Sequence, residues 1–181
     1  MNEQELIRAC QNRDNAAQHR LFDAYAGRLM TICRRYAASH QEAEDMLQEA
    51  FIRVFKHVGQ YRGDGSFEGW LRRITVNTAL QFLQKRKIEF VELDEIRFEP
   101  ESQDHSAVSG LDAEDLMKLI ARLPDGYRTV FNLFAIEGYS HEEISAMLHI
   151  QTASSRSQLS KARALLREKI NSLQEIRVQD A

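Results

Sequence analysis

Apolar residues recur at intervals of three and four along almost the whole chain, the spacing of amphipathic helices, and no segment shows the sustained alternation of a strand. Asn2 with Glu5 predicts a capping box for a short helix ending near Cys10, followed by a turn at Gln11-Asn12-Arg13-Asp14. Leu21, Phe22, Tyr25, Leu29, Ile32 and Tyr36 mark the apolar stripe of a longer helix, with Gly27 as a place for a bend. Ser39 and Glu42 predict a second capping box. The helix they open, from about Gln41 to Val58, carries two stripes. Leu47, Ala50, Phe51, Val54 and Val58 form a core face, while Asp45, Gln48, Glu49 and Ile52 fall together at i, i+3, i+4 and i+7.

The loop from Gly59 to Ser66 is Gly-rich and carries Tyr61 and Arg62; it lacks the pattern of a P-loop. Ser66 suits the N-cap of the next helix, Phe67 to Lys87, whose core side is read as Phe67, Trp70, Leu71, Ile74, Ala79 and Phe82. Arg72, Arg73, Asn77, Lys85, Arg86 and Lys87 supply its polar and basic groups. A basic helix beside an aromatic loop suits unpaired nucleic acid, because cations follow phosphates and aromatic pockets take unstacked bases. The plain alternative is a solvated basic face.

Residues 88–110 lose the helical period and are read as a flexible acidic linker between two small helical domains, 1–87 and 111–181. Between Glu89 and Asp115 the charges include Glu92, Asp94, Glu95, Glu99, Glu101, Asp104, Asp112 and Glu114 against a lone Arg97. The formal net charge of −3 therefore hides basic flanks on either side of an acidic run.

Beyond the linker, helices are expected from about Asp112 to Arg122 and again after Pro124, which suits a first helical turn, with Val130, Phe131, Leu133 and Phe134 buried and Gly138 as a C-cap. Ser140 with Glu143 caps a further helix whose apolar face is Ile144, Met147 and Leu148. His149-Ile150-Gln151 makes a turn, and Thr152 or Ser154 caps the last helix. There Leu159, Ala162, Leu166 and Ile170 face a core, and Arg156, Ser157, Ser160 and Lys161 fall on the other side. Basic and hydroxylic groups near a helix N-terminus suit a DNA groove, with acceptor edges and phosphate walls. The end, from Gln174 to Ala181, is expected to fray.

Hydrophobic content of 43% supports packed cores, and only 2 Pro and 8 Gly fit long regular elements. Cys10 and Cys33 lack metal or redox spacing and are read as buried, reduced thiols. No segment has the length and apolarity of a membrane span, the N-terminus lacks the features of a signal peptide, and a cytoplasmic location follows as the expectation. His141-Glu142 starts like a zinc-protease HExxH, but Ser145 stands where the second ligand belongs; no metal, cofactor or enzymatic activity is expected.

The order of the segments is more specific than any one of them. A-E-D-M-L-Q-E-A-F-I-R-V-F (43–55), F-E-G-W-L-R-R-I-T-V-N-T-A (67–79) and L-P-D-G-Y-R-T-V-F (123–131), leading into E-G-Y-S-H-E-E-I-S, resemble a bacterial RNA polymerase sigma factor of the extracytoplasmic-function group, in the sigma-70 family. The likeness covers nearly the whole chain, although His149 stands where the family has Gly. It implies an all-α protein of two small helical domains, the second with a helix-turn-helix, that binds core RNA polymerase and directs it to promoters. By resemblance the polymerase face is Asp45, Gln48, Glu49 and Ile52, and the minus-ten set is Tyr61, Arg62, Ser66, Phe67, Arg73 and Asn77. The loop of that set would capture a flipped base. Arg156, Ser157, Ser160 and Lys161 would read the minus-thirty-five element, and the linker would lie in the RNA exit path. An anti-sigma partner and a monomeric free state are also implied. A stand-alone helix-turn-helix regulator is the rival reading, and it leaves Phe67, Trp70 and their basic helix without a role.

Overall fold

A computed structural model of the chain describes residues 2–86 and 113–179, in two compact units divided after Lys87. The acidic linker expected at 88–110 and the helix end expected at Lys87 lie outside the described residues. Among the described residues every regular element is helical.

The first unit is built from α1 (Glu3–Gln11), α2 (Asn15–Tyr36), α3 (His40–His57), a short 3-10 turn (Val58–Gln60) and α4 (Phe67–Lys85). The reciprocal capping box of Asn2 and Glu5 opens α1. Ser39 caps α3 through the Glu42 amide, but the Glu42 carboxylate accepts from Ala38 N–H and from the Arg86 guanidinium. The expected box is therefore half formed, and its acidic member instead ties the end of α4 to the α2–α3 turn.

α2, α3 and α4 pack on one another around Leu21, Leu29, Ile32, Met46, Ala50, Val54, Leu71, Val76 and Leu83, all buried. α2 runs unbroken through Gly27. Four residues expected in this core lie outside it. Phe22 is 37% exposed and lies against Phe51 at the rim. Trp70, Ile74 and Phe82 are half-buried, whereas Thr75, Val76, Thr78, Leu80 and Leu83 fill the interior of α4. Thr75 and Thr78 are tolerated there because their hydroxyls donate to the carbonyls of Leu71 and Ile74, which removes the cost of an unpaired buried polar group. Both cysteines are free and buried, and burial pushes the Cys33 thiol up to about 12, well away from the reactive thiolate range.

The second unit comprises α5 (Ala113–Ala121), α6 (Asp125–Phe131), a π-helical turn (Asn132–Ile136), α7 (His141–Leu148) and α8 (Thr152–Gln179). Leu119, Ile120, Leu123, Ala162, Leu166 and Ile170 form its core. Pro124 occupies the N-cap of α6 itself, with Asp125 as the first helical residue. The Arg128 guanidinium donates to Ala121 O and to Asp125, fastening α6 to the end of α5. Val130 and Leu133 are buried as expected, but Phe131, at the end of α6, and Phe134, in the π-turn, are half-buried, and Gly138 follows at φ +81°. Met147 is likewise half-buried. α8 starts at Thr152, so the cap position falls on Gln151, whose carbonyl accepts from Ser155 N–H. It continues helical to Gln179, past the expected fraying point.

The α7–α8 turn is closed by His149, left-handed at φ 56°, ψ 42°, with its N–H on Ser145 O. A non-glycine residue in this region costs roughly 1 kcal/mol. The Ser145 hydroxyl donating to Ile150 O at 2.6 Å helps to hold it.

Candidate nucleic-acid interface

On α4, Trp70, Arg73 and Asn77 stand at i, i+3 and i+7 and therefore share one face. Arg73 and Asn77 are exposed. Trp70 is half-buried, stacked on Phe67 with centroids 5.6 Å apart and 5.5 Å from the Tyr61 ring. Phe67 is 1% exposed, packed between Tyr61, Trp70 and Tyr25. The fold thus makes Phe67 the wall behind the aromatic group, while Tyr61 and Trp70 present the accessible ring surface.

The loop above this wall has defined geometry. Gly63 and Gly65 take φ of +87° and +89°, values only glycine adopts without strain. The Tyr61 hydroxyl donates to Gly65 O at 2.8 Å, folding the tip back over the aromatic group. Arg62 is exposed. Ser66 is exposed too, but its hydroxyl accepts from Gly69 N–H as the α4 cap, a structural use beside any contact. Aromatic faces, an exposed guanidinium and a carboxamide on one surface can stack unpaired bases and hold their backbone.

In the second unit, Arg156 is exposed and Ser157, Ser160 and Lys161 are half-exposed on α8, opposite buried Leu159 and Ala162. Arg156 reaches across to Glu142 at 3.4 Å. Ser155 and Gln158, which the spacing left unassigned, are buried. The reason for Ser155 is His141: its Nδ1 lies 2.9 Å from the Ser155 hydroxyl, and its ring stacks on Phe134 at 4.5 Å.

Burial first, and then the Arg156 guanidinium, hold His141 below its ordinary pKa of 6.5; Arg163 adds to this and Glu142 opposes it. As pH falls, the unfolded chain takes up this proton before the folded one. The His141 contribution should therefore leave stability untouched above about pH 6.5 and lower it below that, levelling off under the folded pKa. Denaturant melts at about pH 7.5 and about pH 5.5 check this: His141→Gln should show a smaller loss on acidification than the natural chain. Equal losses would remove His141 as the cause.

On α3, Asp45 and Gln48 are exposed and Ile52 is 60% exposed. Glu49 is half-exposed and paired with Arg53 at 2.8 Å. Carboxylates around a large exposed aliphatic group make a surface suited to a protein partner. Phe22 and Ile52 are the exposed large apolar side chains among the described residues. Phe22 could have been read as peripheral only from its packing on α3, which helical spacing does not encode.

Among the described residues no group of His, Cys, Asp or Glu is arranged to hold a metal, and no helix is long and apolar enough to cross a membrane.

Two helical units, one presenting an aromatic and basic face with a separate acidic and apolar stripe, the other a helix-turn-helix, suit the class of modular proteins that meet both DNA and a protein partner. Sequence models of sigma-70 region 2 and sigma-70 region 4 match residues 21–88 and 113–166. The chain is 30% identical over 173 residues to the RNA polymerase sigma-H factor of Pseudomonas aeruginosa, covering 89% of this chain and 90% of that protein. It is 29% identical over 185 residues to the ECF RNA polymerase sigma-E factor of Escherichia coli K12, covering 96% of each. It shares its fold with the sigma factor RpoE of Bartonella quintana, solved with the anti-sigma factor NepR (TM-score 0.52, 21% identity, 83% of this chain and 94% of that one). CnrH, solved with the cytosolic domain of CnrY, is similar at a TM-score of 0.50 and 18% identity, covering 92% and 96%. The chain belongs to the extracytoplasmic-function group of the sigma-70 family. It is an alternative sigma factor, serving promoter recognition by RNA polymerase.

Proposed function

We propose that each exposed face described above performs one step of initiation. The α3 stripe Asp45, Gln48, Glu49 and Ile52 docks on core RNA polymerase. The loop with Tyr61 and Arg62, together with Trp70, Arg73 and Asn77, holds the opened minus-ten strand. Ser66 and Phe67 support that surface as cap and wall. Arg156, Ser157, Ser160 and Lys161 read the minus-thirty-five element in the major groove. The protein acts without catalysis of its own, in the cytoplasm where the chromosome lies. It is held in check by an anti-sigma factor, the class of partner with which RpoE was solved.

The observation that carries this reading is the shared face of Trp70, Arg73 and Asn77 beside an ordered loop. Unstacking a base costs a few kcal/mol, and strand opening is favourable only if the flipped base and its neighbours gain new contacts. Asn77 is the exposed carboxamide of the set, able to donate to and accept from a base edge. Asn77→Ala should reduce open-complex formation about tenfold and blur preference at one minus-ten position, as expected for losing a pair of hydrogen bonds to a base. Permanganate footprinting on promoters varied at the minus-ten element measures this. Natural melting by Asn77→Ala on every variant would refute the assignment.

A further inference from the structure

The loop that carries Tyr61 is held by a residue of the first helix, distant in sequence. Gln11, the last residue of α1, donates from its side-chain Nε2 to the carbonyl of Val58 at 3.1 Å and to the carbonyl of Tyr61 at 3.3 Å. Val58 O also accepts from Tyr61 N–H at 3.2 Å, closing the 3-10 turn. The amide of one half-buried side chain thus fixes both ends of the turn from which the loop departs. Beyond that point the backbone is Gly-rich and exposed, and the Tyr61 hydroxyl donates to Gly65 O as a second anchor. Tyr61 is therefore tied at its backbone to α1 and at its side chain to the loop tip, with its ring against Phe67 and Trp70.

We infer that Gln11 is a positioning residue for promoter melting: it keeps Tyr61 in the strand-holding conformation before DNA arrives. The inference rests on the assignment of the Tyr61 loop to the minus-ten strand. Its physical basis is preorganisation. A loop that populates its binding conformation only part of the time binds more weakly by that fraction, with no contact to DNA changed. α1 itself need never touch the promoter.

The chain supplies its own reporter, because Trp70 is its single tryptophan and lies 5.5 Å from the Tyr61 ring. Gln11→Met keeps length and packing but removes both donors. Gln11→Glu keeps the shape and turns a carboxylate toward two carbonyl oxygens, so it should act in the same direction and more strongly. In the free full-length chain, both should shift Trp70 emission and increase its quenching by acrylamide. In holoenzyme, affinity for a single-stranded minus-ten oligonucleotide should fall about tenfold for Gln11→Met, the scale of two neutral hydrogen bonds, and further for Gln11→Glu. Core polymerase affinity should stay within twofold, on the order of surface-substitution effects, whereas general unfolding would lower it too.

Unchanged Trp70 emission and quenching in both variants, or strand affinity within twofold of the natural chain, would overturn the role of Gln11. So would a parallel loss of core affinity, which would make the effect one of fold integrity. Tyr61→Ala and Asn77→Ala run beside them separate the two layers. If those bind the oligonucleotide like the natural chain, the strand-holding assignment fails and takes this inference with it. If they lose binding while Gln11→Met does not, only the inference fails.

Discussion

Replacing Asp45 and Glu49 together by arginine is expected to weaken assembly with core RNA polymerase by on the order of 2 kcal/mol or more, roughly thirtyfold, the scale at which interfacial charge pairs act. Asp45 is exposed, with one side-chain contact to Gln41 at 3.3 Å, and Glu49 is paired with Arg53 on its own helix. Neither belongs to the core, which α3 builds from Ala43, Met46, Leu47, Ala50, Phe51 and Val54. The double reversal, with Arg53, sets three arginines at four-residue intervals; each of the two resulting repulsions is worth only a few tenths of a kcal/mol on a helix surface. Thermal melts should therefore move little while holoenzyme formation collapses. An anisotropy titration of labelled chain with core polymerase separates these outcomes. An unchanged titration would move the docking face elsewhere, and Phe22, exposed on α2 beside Phe51, would be the next place to look.

The second large effect concerns reading of the upstream element. Arg156→Ala should cost about 1–3 kcal/mol on the preferred minus-thirty-five sequence and relax preference at a single position, as expected when a bidentate contact to a guanine edge is removed. The guanidinium is 65% exposed and its partner Glu142 is 67% exposed. An ion pair this open to solvent is weak, so little opposes its exchange for a base. Lys161, more than a turn further along α8, is half-exposed and suited to phosphate. Lys161→Ala should weaken all promoters alike and lower the salt slope of binding by about one unit. The measurement is holoenzyme affinity for a minus-thirty-five library at several salt concentrations. A flat response of the library to Arg156→Ala would shift base reading to Ser157 and Ser160.

Periodicity alone placed most of α2, α3, α7 and α8. Caps such as Asn2 with Glu5 and Ser140 with Glu143 were legible because both partners lie within one turn of sequence. The outward direction of Arg156, Ser157, Ser160 and Lys161 was legible for the same reason: a helix with a defined core stripe leaves its other face no freedom. Family resemblance added the roles, which spacing does not contain.

Contacts between elements distant in sequence decided the rest. Trp70 and Phe67 look alike in a helical pattern, and only the seating of Tyr61 and Tyr25 makes Phe67 the buried wall and Trp70 a half-open surface. Thr75 and Thr78, which the helical pattern left unassigned, are buried in α4, where hydroxyl bonds within the helix remove the cost. Gln11 read as a turn residue, and its partners lie 47 and 50 positions away. Glu42 abandoned its local box for a guanidinium 44 positions on. Local pattern determines which residues form helices and which face turns inward, because those depend on neighbours within a turn. Tertiary packing alone decides which aromatic is wall and which is surface, and which distant residue bonds to a loop, because those depend on groups that meet only when the chain has folded.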